Sequence, residues 1–107
     1  MKLHENQILI MIKRPGEEPE VEPLFDNTLE AFQKAVGGYI ETVTMCSDLV
    51  LICNEEGRLM GLPYNATICG LDFYGTVLAV GVKGEEFCSL KASTIPLVTR
   101  TLRGDGN

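Results

Sequence analysis

The chain has 107 residues, of which 45% are hydrophobic and 22% are charged, and its formal net charge is −6 at pH 7. This length and composition are typical of a single globular domain spanning residues 1–107, and they exclude a disordered chain and a fibrous repeat. The negative charge argues against nucleic acid or an anionic membrane as a partner, because binding to either depends on cationic side chains.

The first two elements are predicted to be a buried strand and an exposed strand. Residues 7–13 are rich in Ile, Leu and Met and stop at an Arg-Pro-Gly turn signal, which predicts a strand buried on both faces near the centre of a sheet. Residues 17–23 alternate acids with two prolines and a valine. Because proline cannot donate to a strand ladder, this segment is predicted to be an edge strand or extended arm that faces water.

A helix is predicted at about residues 27–37. Asn27 is suited to cap the free backbone N–H groups of the first turn, Glu30 can reach back toward that cap, and the glycine pair at 37–38 ends the helix. The apolar residues at helical spacing, which should pack on a sheet, are Leu29, Phe32, Ala35 and Val36.

The middle of the chain is predicted to hold two strands and a hairpin. The alternating residues 39–45 and the apolar run 49–53 are typical of strands. Residues 54–57 resemble a tight turn that joins this run to residues 58–60, which predicts a hairpin. The Gly- and Pro-containing residues 61–65 are predicted to break regular pairing.

The last third is predicted to contain a strand at about 74–82, a turn at 83–84 and a short strand at 86–88. Residues 91–102 have helical periodicity, and Pro96 is tolerated only in a first turn, which predicts a short C-terminal helix.

These elements predict an α+β fold of two layers, in which a mostly antiparallel sheet carries one main helix, at about 27–37, on one face. Residues 104–107 should fray. Residues 1–7 turn polar at once and show neither a leader-peptide pattern nor a membrane-span pattern, which predicts a cytoplasmic protein.

No catalytic residue, metal site or cofactor is predicted. His4 is the only histidine and lies in the first few residues, where no rigid surroundings are expected to hold it for catalysis. The pairs Glu55-Glu56 and Glu85-Glu86 are expected to be solvated turn residues, and no phosphate-binding loop is present. Four widely spaced cysteines form no C-x2-C pair and are predicted to be buried free thiols: Cys46, Cys53, Cys69 and Cys88.

Residues 54–65 are the strongest candidate ligand segment. They concentrate amides, an arginine and a tyrosine among backbone-bending residues, which suits a small anionic or aromatic ligand. The candidate binding residues are Asn54, Arg58, Tyr64 and Asn65. The alternative is a β-turn followed by an irregular loop, in which Arg58 offsets the nearby glutamates. A weaker candidate combines the basic pair Lys13-Arg14 with Tyr39.

Four motifs carry a family resemblance: GGYIE at 37–41, LVLICNEEG at 49–57, GLPYN at 61–65 and GEEF at 84–87. With these motifs the chain resembles the small family called domain of unknown function 3846, over roughly residues 8–90. Proteins of that family occur largely in Gram-positive bacteria, their phages and conjugative elements. The resemblance therefore implies a bacterial, prophage or mobile-element setting, and it implies no activity.

Three classes of function compete. The leading prediction is a non-enzymatic interaction module that binds an unknown protein partner or itself through exposed strand edges. The first alternative is a protein that binds or sequesters a small nucleotide-like anion. The second is an enzyme that uses carboxylates without histidine or a metal cluster. An interaction module should have an exposed apolar surface, and a small-molecule binder should have a pocket with Arg58 directed inward. An enzyme should have a carboxylate or lysine in a strongly perturbed environment.

Overall fold

The computed structural model describes residues 6–105, and it confirms the predicted α+β class. One sheet contains six antiparallel strands in the order β2-β1-β7-β4-β3, with β8 also paired to β7, and β5 and β6 form a separate hairpin. The elements are β1 (Gln7–Lys13), β2 (Glu20–Asp26), α1 (Leu29–Val36), β3 (Ile40–Cys46), β4 (Leu49–Asn54), β5 (Tyr64–Ile68), β6 (Leu71–Tyr74), β7 (Val77–Lys83), β8 (Glu86–Cys88) and α2 (Ile95–Arg103). Neither helix in this part of the chain has the length and apolar character needed to cross a bilayer.

β7 is the central strand of the sheet. It pairs with β4 on one side; on the other, its first half pairs with β1, with Met11 opposite Ala79, and its second half pairs with β8, with Gly81 opposite Cys88. β4 and β7 are buried over almost their whole length, which explains their nearly continuous apolar sequences. The predicted central position of β1 and edge position of β2 are confirmed.

The predicted two-layer arrangement is wrong, because the sheet is covered on both faces. α1 packs on one face through Phe32 and Val36. On the other face, α2 and the β5–β6 hairpin lie together and bury residues such as Val98, Ile68 and Phe73. The protein therefore has three layers, since the C-terminal helix and a hairpin cover the second face of the sheet.

The main helix begins one residue later than its predicted cap. The N-cap is Thr28, whose hydroxyl accepts a hydrogen bond from Ala31 N at 3.1 Å. The Asn27 side chain instead donates to the backbone oxygen of Phe87, at 3.2 Å. Gly37 ends the helix with φ 80°, as predicted. Leu29 was predicted to join the buried stripe, but it is 55% exposed.

The hairpin predicted around residues 54–60 is also wrong. Residues 55–61 form consecutive turns, and the hairpin of this region is β5–β6, which begins at Tyr64. Its two-residue loop consists of Cys69 and Gly70, with φ 50° and 80°. These positive φ values are typical of the tight turn that follows the twist of a two-stranded ribbon.

The segment after α2 is anchored rather than frayed over its described part. The Asp105 carboxylate accepts hydrogen bonds from Cys69 N at 3.1 Å and from Gly70 N at 2.8 Å. The predicted fraying of Gly104 and Asp105 is therefore wrong, because Asp105 caps the loop of the β5–β6 hairpin. Residues 106–107 and His4 lie outside the described residues.

Candidate functional site

The four residues predicted to bind a ligand belong to two separate places. Asn54 and Arg58 line one cavity of about 320 Å³ beside β6. Tyr64 and Asn65 lie on β5 and are not among the residues that line this cavity.

Asn54 joins the end of α1 to the turns after β4. Its Nδ2 donates to Val36 O at 3.0 Å, and its Oδ1 accepts from Glu56 N at 2.7 Å. A Cβ atom at Gly38 would lie 2.9 Å from Asn54 Nδ2, so a side chain there would displace the Asn54 amide. The buried Asn54 amide is thus committed to the fold.

Asn65 is held in the same way, by a buried lysine and two carbonyl groups. Its Nδ2 donates to Lys13 O and to Gly75 O, both at 2.8 Å, while its Oδ1 accepts from Lys13 Nζ at 3.0 Å. Lys13, which is only 8% exposed, also donates to Arg14 O at 3.1 Å. Both donors of the Asn65 amide are therefore used within the fold. The weaker candidate group is divided too, since Lys13 is buried and Tyr39 is exposed.

Arg58 lies against the aromatic ring of Tyr74. Its guanidinium carbon is 5.7 Å from the centroid of the Tyr74 ring, and Tyr74 in turn contacts Tyr64 edge to face at 5.7 Å. The Tyr64 hydroxyl is hydrogen bonded to the Thr67 hydroxyl. The acidic residues that line the cavity beside β6 are Glu41, Glu55 and Asp72. Carboxylates thus outnumber the one arginine, an arrangement that opposes binding of an anion.

A larger cavity, of about 400 Å³, lies beside α2. We call it the α2 cavity. Its lining residues come from four separate segments, within residues 46–49, 81–83, 88–91 and 94–98. No single segment contains enough of the lining to form a motif, so the sequence does not reveal this cavity.

The cysteines differ in their surroundings. All four are free thiols; Cys53 is buried, Cys88 is half-buried, and Cys46 and Cys69 are exposed, so the predicted burial is wrong for the last two. Burial, with a smaller contribution from the charge of Glu41, raises the pKa of the Cys53 thiol to about 11. Within residues 6–105, no group of three His, Cys, Asp or Glu side chains is placed to hold a metal ion.

The two edges of the sheet have different sequences. β2 carries Glu20, Glu22, Pro23 and Asp26, whereas β3 contains a single charged residue, Glu41, and no proline. Thr42 and Thr44 of β3 are exposed. In the part of the chain that the structure describes, β3 pairs with β4 alone, so its outer backbone groups face no other strand.

Comparison with known proteins gives one assignment and no activity. No curated protein and no solved structure matches the chain. A family model described as "Domain of unknown function (DUF3846)" matches residues 8–103, which is nearly the whole chain. This match confirms the resemblance inferred from the four sequence motifs, and the chain belongs to that family.

Proposed function

We propose that the protein is a non-enzymatic interaction module that associates with a second copy of itself through the outer edge of β3. The observation that carries this proposal is the contrast between the two edges of the sheet. An exposed edge offers a row of backbone donors and acceptors to any incoming strand, and proteins suppress such pairing with prolines and charges. β2 has these protections along its length, while β3 is rich in β-branched residues and has one charge.

The sequence of β3 is suited to pairing with itself. Its central residue is Val43, so an antiparallel pair centred there places Thr42 opposite Thr44 of the second copy and Val43 opposite the same residue. The pairing of β3 with β4 is irregular between Thr44 and Cys46, so the regular part of this dimer pair covers residues 42–44. In this register Glu41 of one copy does not oppose Glu41 of the other. Each Thr–Thr pair contributes roughly 0.2–1 kcal/mol in addition to the backbone hydrogen bonds. This symmetry favours a second copy over an unrelated strand as the partner.

Light scattering after size-exclusion chromatography, over a dilution series, tests the proposal. The wild-type chain should form a dimer that dissociates on dilution. The double variant Thr42→Lys/Thr44→Lys places lysine opposite lysine twice in the dimer, and we expect its dissociation constant to rise about tenfold. The double variant Thr42→Glu/Thr44→Lys places glutamate opposite lysine and should keep the dimer.

The charge-paired variant is the matched control, because it alters the same exposed positions and retains β3 with its β4 pairing. A wild-type chain that is monomeric at every concentration would overturn the proposal. Equal behaviour of the two double variants would reject the register centred on Val43.

The proposal includes a setting in the cytoplasm of a bacterium and an origin in a phage or mobile element. The family resemblance suggests the bacterial setting and the origin. Sequencing the genomic region around the gene tests the origin: flanking integrase, capsid or conjugation genes would support it, and an uninterrupted set of host metabolic genes would contradict it.

A further inference from the structure

We propose that the α2 cavity binds a small amphipathic anion, that is, an organic molecule with an apolar body and one negatively charged group. This inference is independent of the pairing proposed for β3. It depends on the size of the cavity, on the composition of its walls and on the distribution of charge among the cavities of the protein.

The α2 cavity has the size of a ligand pocket. At about 400 Å³ the α2 cavity falls within the range of pockets that hold small organic ligands. Its walls include the buried side chains of Leu49, Leu90 and Val98, together with Leu97, which is 59% exposed on α2. These walls suit an aliphatic or aromatic body.

The charge around the α2 cavity is opposite to that of the chain as a whole. The net charge of the protein is −6, yet this cavity is lined by Lys83 and Lys91 against a single acid, Asp48. In the cavity beside β6, one arginine faces three acids. In a third cavity, beside β2 and α1, two basic and two acidic residues balance. An anion is therefore favoured at the α2 cavity over the other two.

Other polar groups in the walls already have partners. Ser89 Oγ accepts from Leu9 N at 2.9 Å, and the Thr94 hydroxyl donates to Lys91 O at 2.6 Å. Cys46 Sγ donates to Asp48 Oδ1 at 3.2 Å, so one oxygen of the single carboxylate in the walls is already hydrogen bonded. Lys83 lies opposite Glu86 in the β7–β8 pair, but within residues 6–105 neither lysine of the cavity forms an ion pair. The two ammonium groups are thus the charges left to attract a ligand.

The first experiment uses 8-anilinonaphthalene-1-sulfonate, a fluorescent monoanion with an aromatic body, and measures its displacement by alkyl competitors of equal length. Decanoate should displace the dye, and decylammonium should displace it at least about tenfold more weakly, because the lysines repel a cation. Equal displacement by the two competitors would overturn the assignment of an anion, and the absence of dye and decanoate binding would overturn the ligand site.

The second experiment compares two charge-reversal variants at matched net charge. Lys83→Glu/Lys91→Glu should weaken decanoate binding roughly tenfold, since both changes act at the α2 cavity. Arg14→Glu/Lys34→Glu changes the net charge of the chain by the same amount in the third cavity and should leave decanoate binding within about twofold. Equal weakening in both variants would show a general charge effect and overturn the inference. Thermal unfolding of each variant establishes that it is folded.

A third variant separates a ligand from a second copy as the occupant. Leu97→Glu introduces a negative charge at an exposed position of the cavity wall and should weaken decanoate binding without changing the molecular mass in solution. Loss of a dimer in this variant, with decanoate binding unchanged, would make the cavity a contact between copies and overturn the ligand site. The β3 variant Thr42→Lys/Thr44→Lys should bind decanoate as the wild type does, so the two proposals fail separately.

Discussion

The two faces of the sheet are covered in different ways. On one face a single helix, α1, closes an apolar cluster in which the Phe32 ring contacts the rings of Phe25 and Phe87 at 5.2 and 5.4 Å. On the other face two separate elements, α2 and the β5–β6 hairpin, share the surface and are fixed by hydrogen bonds that involve Asn65 and Asp105. One element needs only an apolar stripe, whereas two elements side by side need directional bonds to set their positions. The α2 cavity lies on this second face, which we call the composite face because α2 and the β5–β6 hairpin form it together.

The largest expected effect comes from a substitution that disrupts the aromatic cluster on the α1 face. Phe32 is 2% exposed, so Phe32→Ala should lower the free energy of unfolding by about 4 kcal/mol, through lost burial and the cavity left behind. Leu29→Ala, on the exposed side of the same helix, should change it by less than about 0.5 kcal/mol. Urea unfolding measures both. Similar losses for the two variants would show that the aromatic cluster is not what holds α1 in place.

The next largest effect comes from removing the hydrogen bonds of Asn65 on the composite face. Asn65→Ala removes two donors to carbonyl groups and one acceptor of the Lys13 ammonium group, and it should cost roughly 3 kcal/mol. Much of this cost comes from leaving a buried charge with one partner fewer. Adding Lys13→Met should therefore recover part of it. An equal cost of Asn65→Ala with and without Lys13→Met, in the same urea titration, would contradict this coupling.

The smallest expected effect concerns the two-residue loop of the β5–β6 hairpin, on the composite face. Cys69 is held at φ 50°, which costs most residues about 1 kcal/mol but is well tolerated by asparagine. Cys69→Asn should raise the free energy of unfolding by roughly 0.5–1 kcal/mol, and Cys69→Val should lower it by a similar amount. Thermal unfolding checks both. A gain for valine would mean that the thiol, rather than the backbone angle, is unfavourable at this position.

The elements that could be predicted from sequence are those whose signals are local. The apolar runs of β4 and β7, the proline-marked edge of β2 and the Gly37 end of α1 each depend on residues close in sequence, and all are confirmed. The N-cap of α1 was predicted one residue too early, at Asn27. The Asn27 side chain instead donates a hydrogen bond to the backbone oxygen of Phe87 in β8, about sixty positions along the chain. The competing partner is distant, so no local pattern reveals it.

The hairpin and the sites were harder to predict for the same reason. Cys69 occupies a loop position where asparagine or glycine would have given a recognisable turn signal. Asn65 has the chemistry of a ligand-binding residue, and only the fold shows that Lys13 uses its amide. The α2 cavity draws its walls from four segments, so its lysines and apolar residues come together only in three dimensions.

The central place of β7 has a consequence for biosynthesis. While the ribosome is making residues 1–76, β1 can pair only with β2, and β3 only with β4, because the strand that joins these two hairpins follows them in the chain. Isolated two-stranded hairpins are marginally stable in water. The two hairpins can therefore be joined into one sheet only after residues 77–83 have emerged, and until then the apolar run of β4 is accessible to chaperones and proteases.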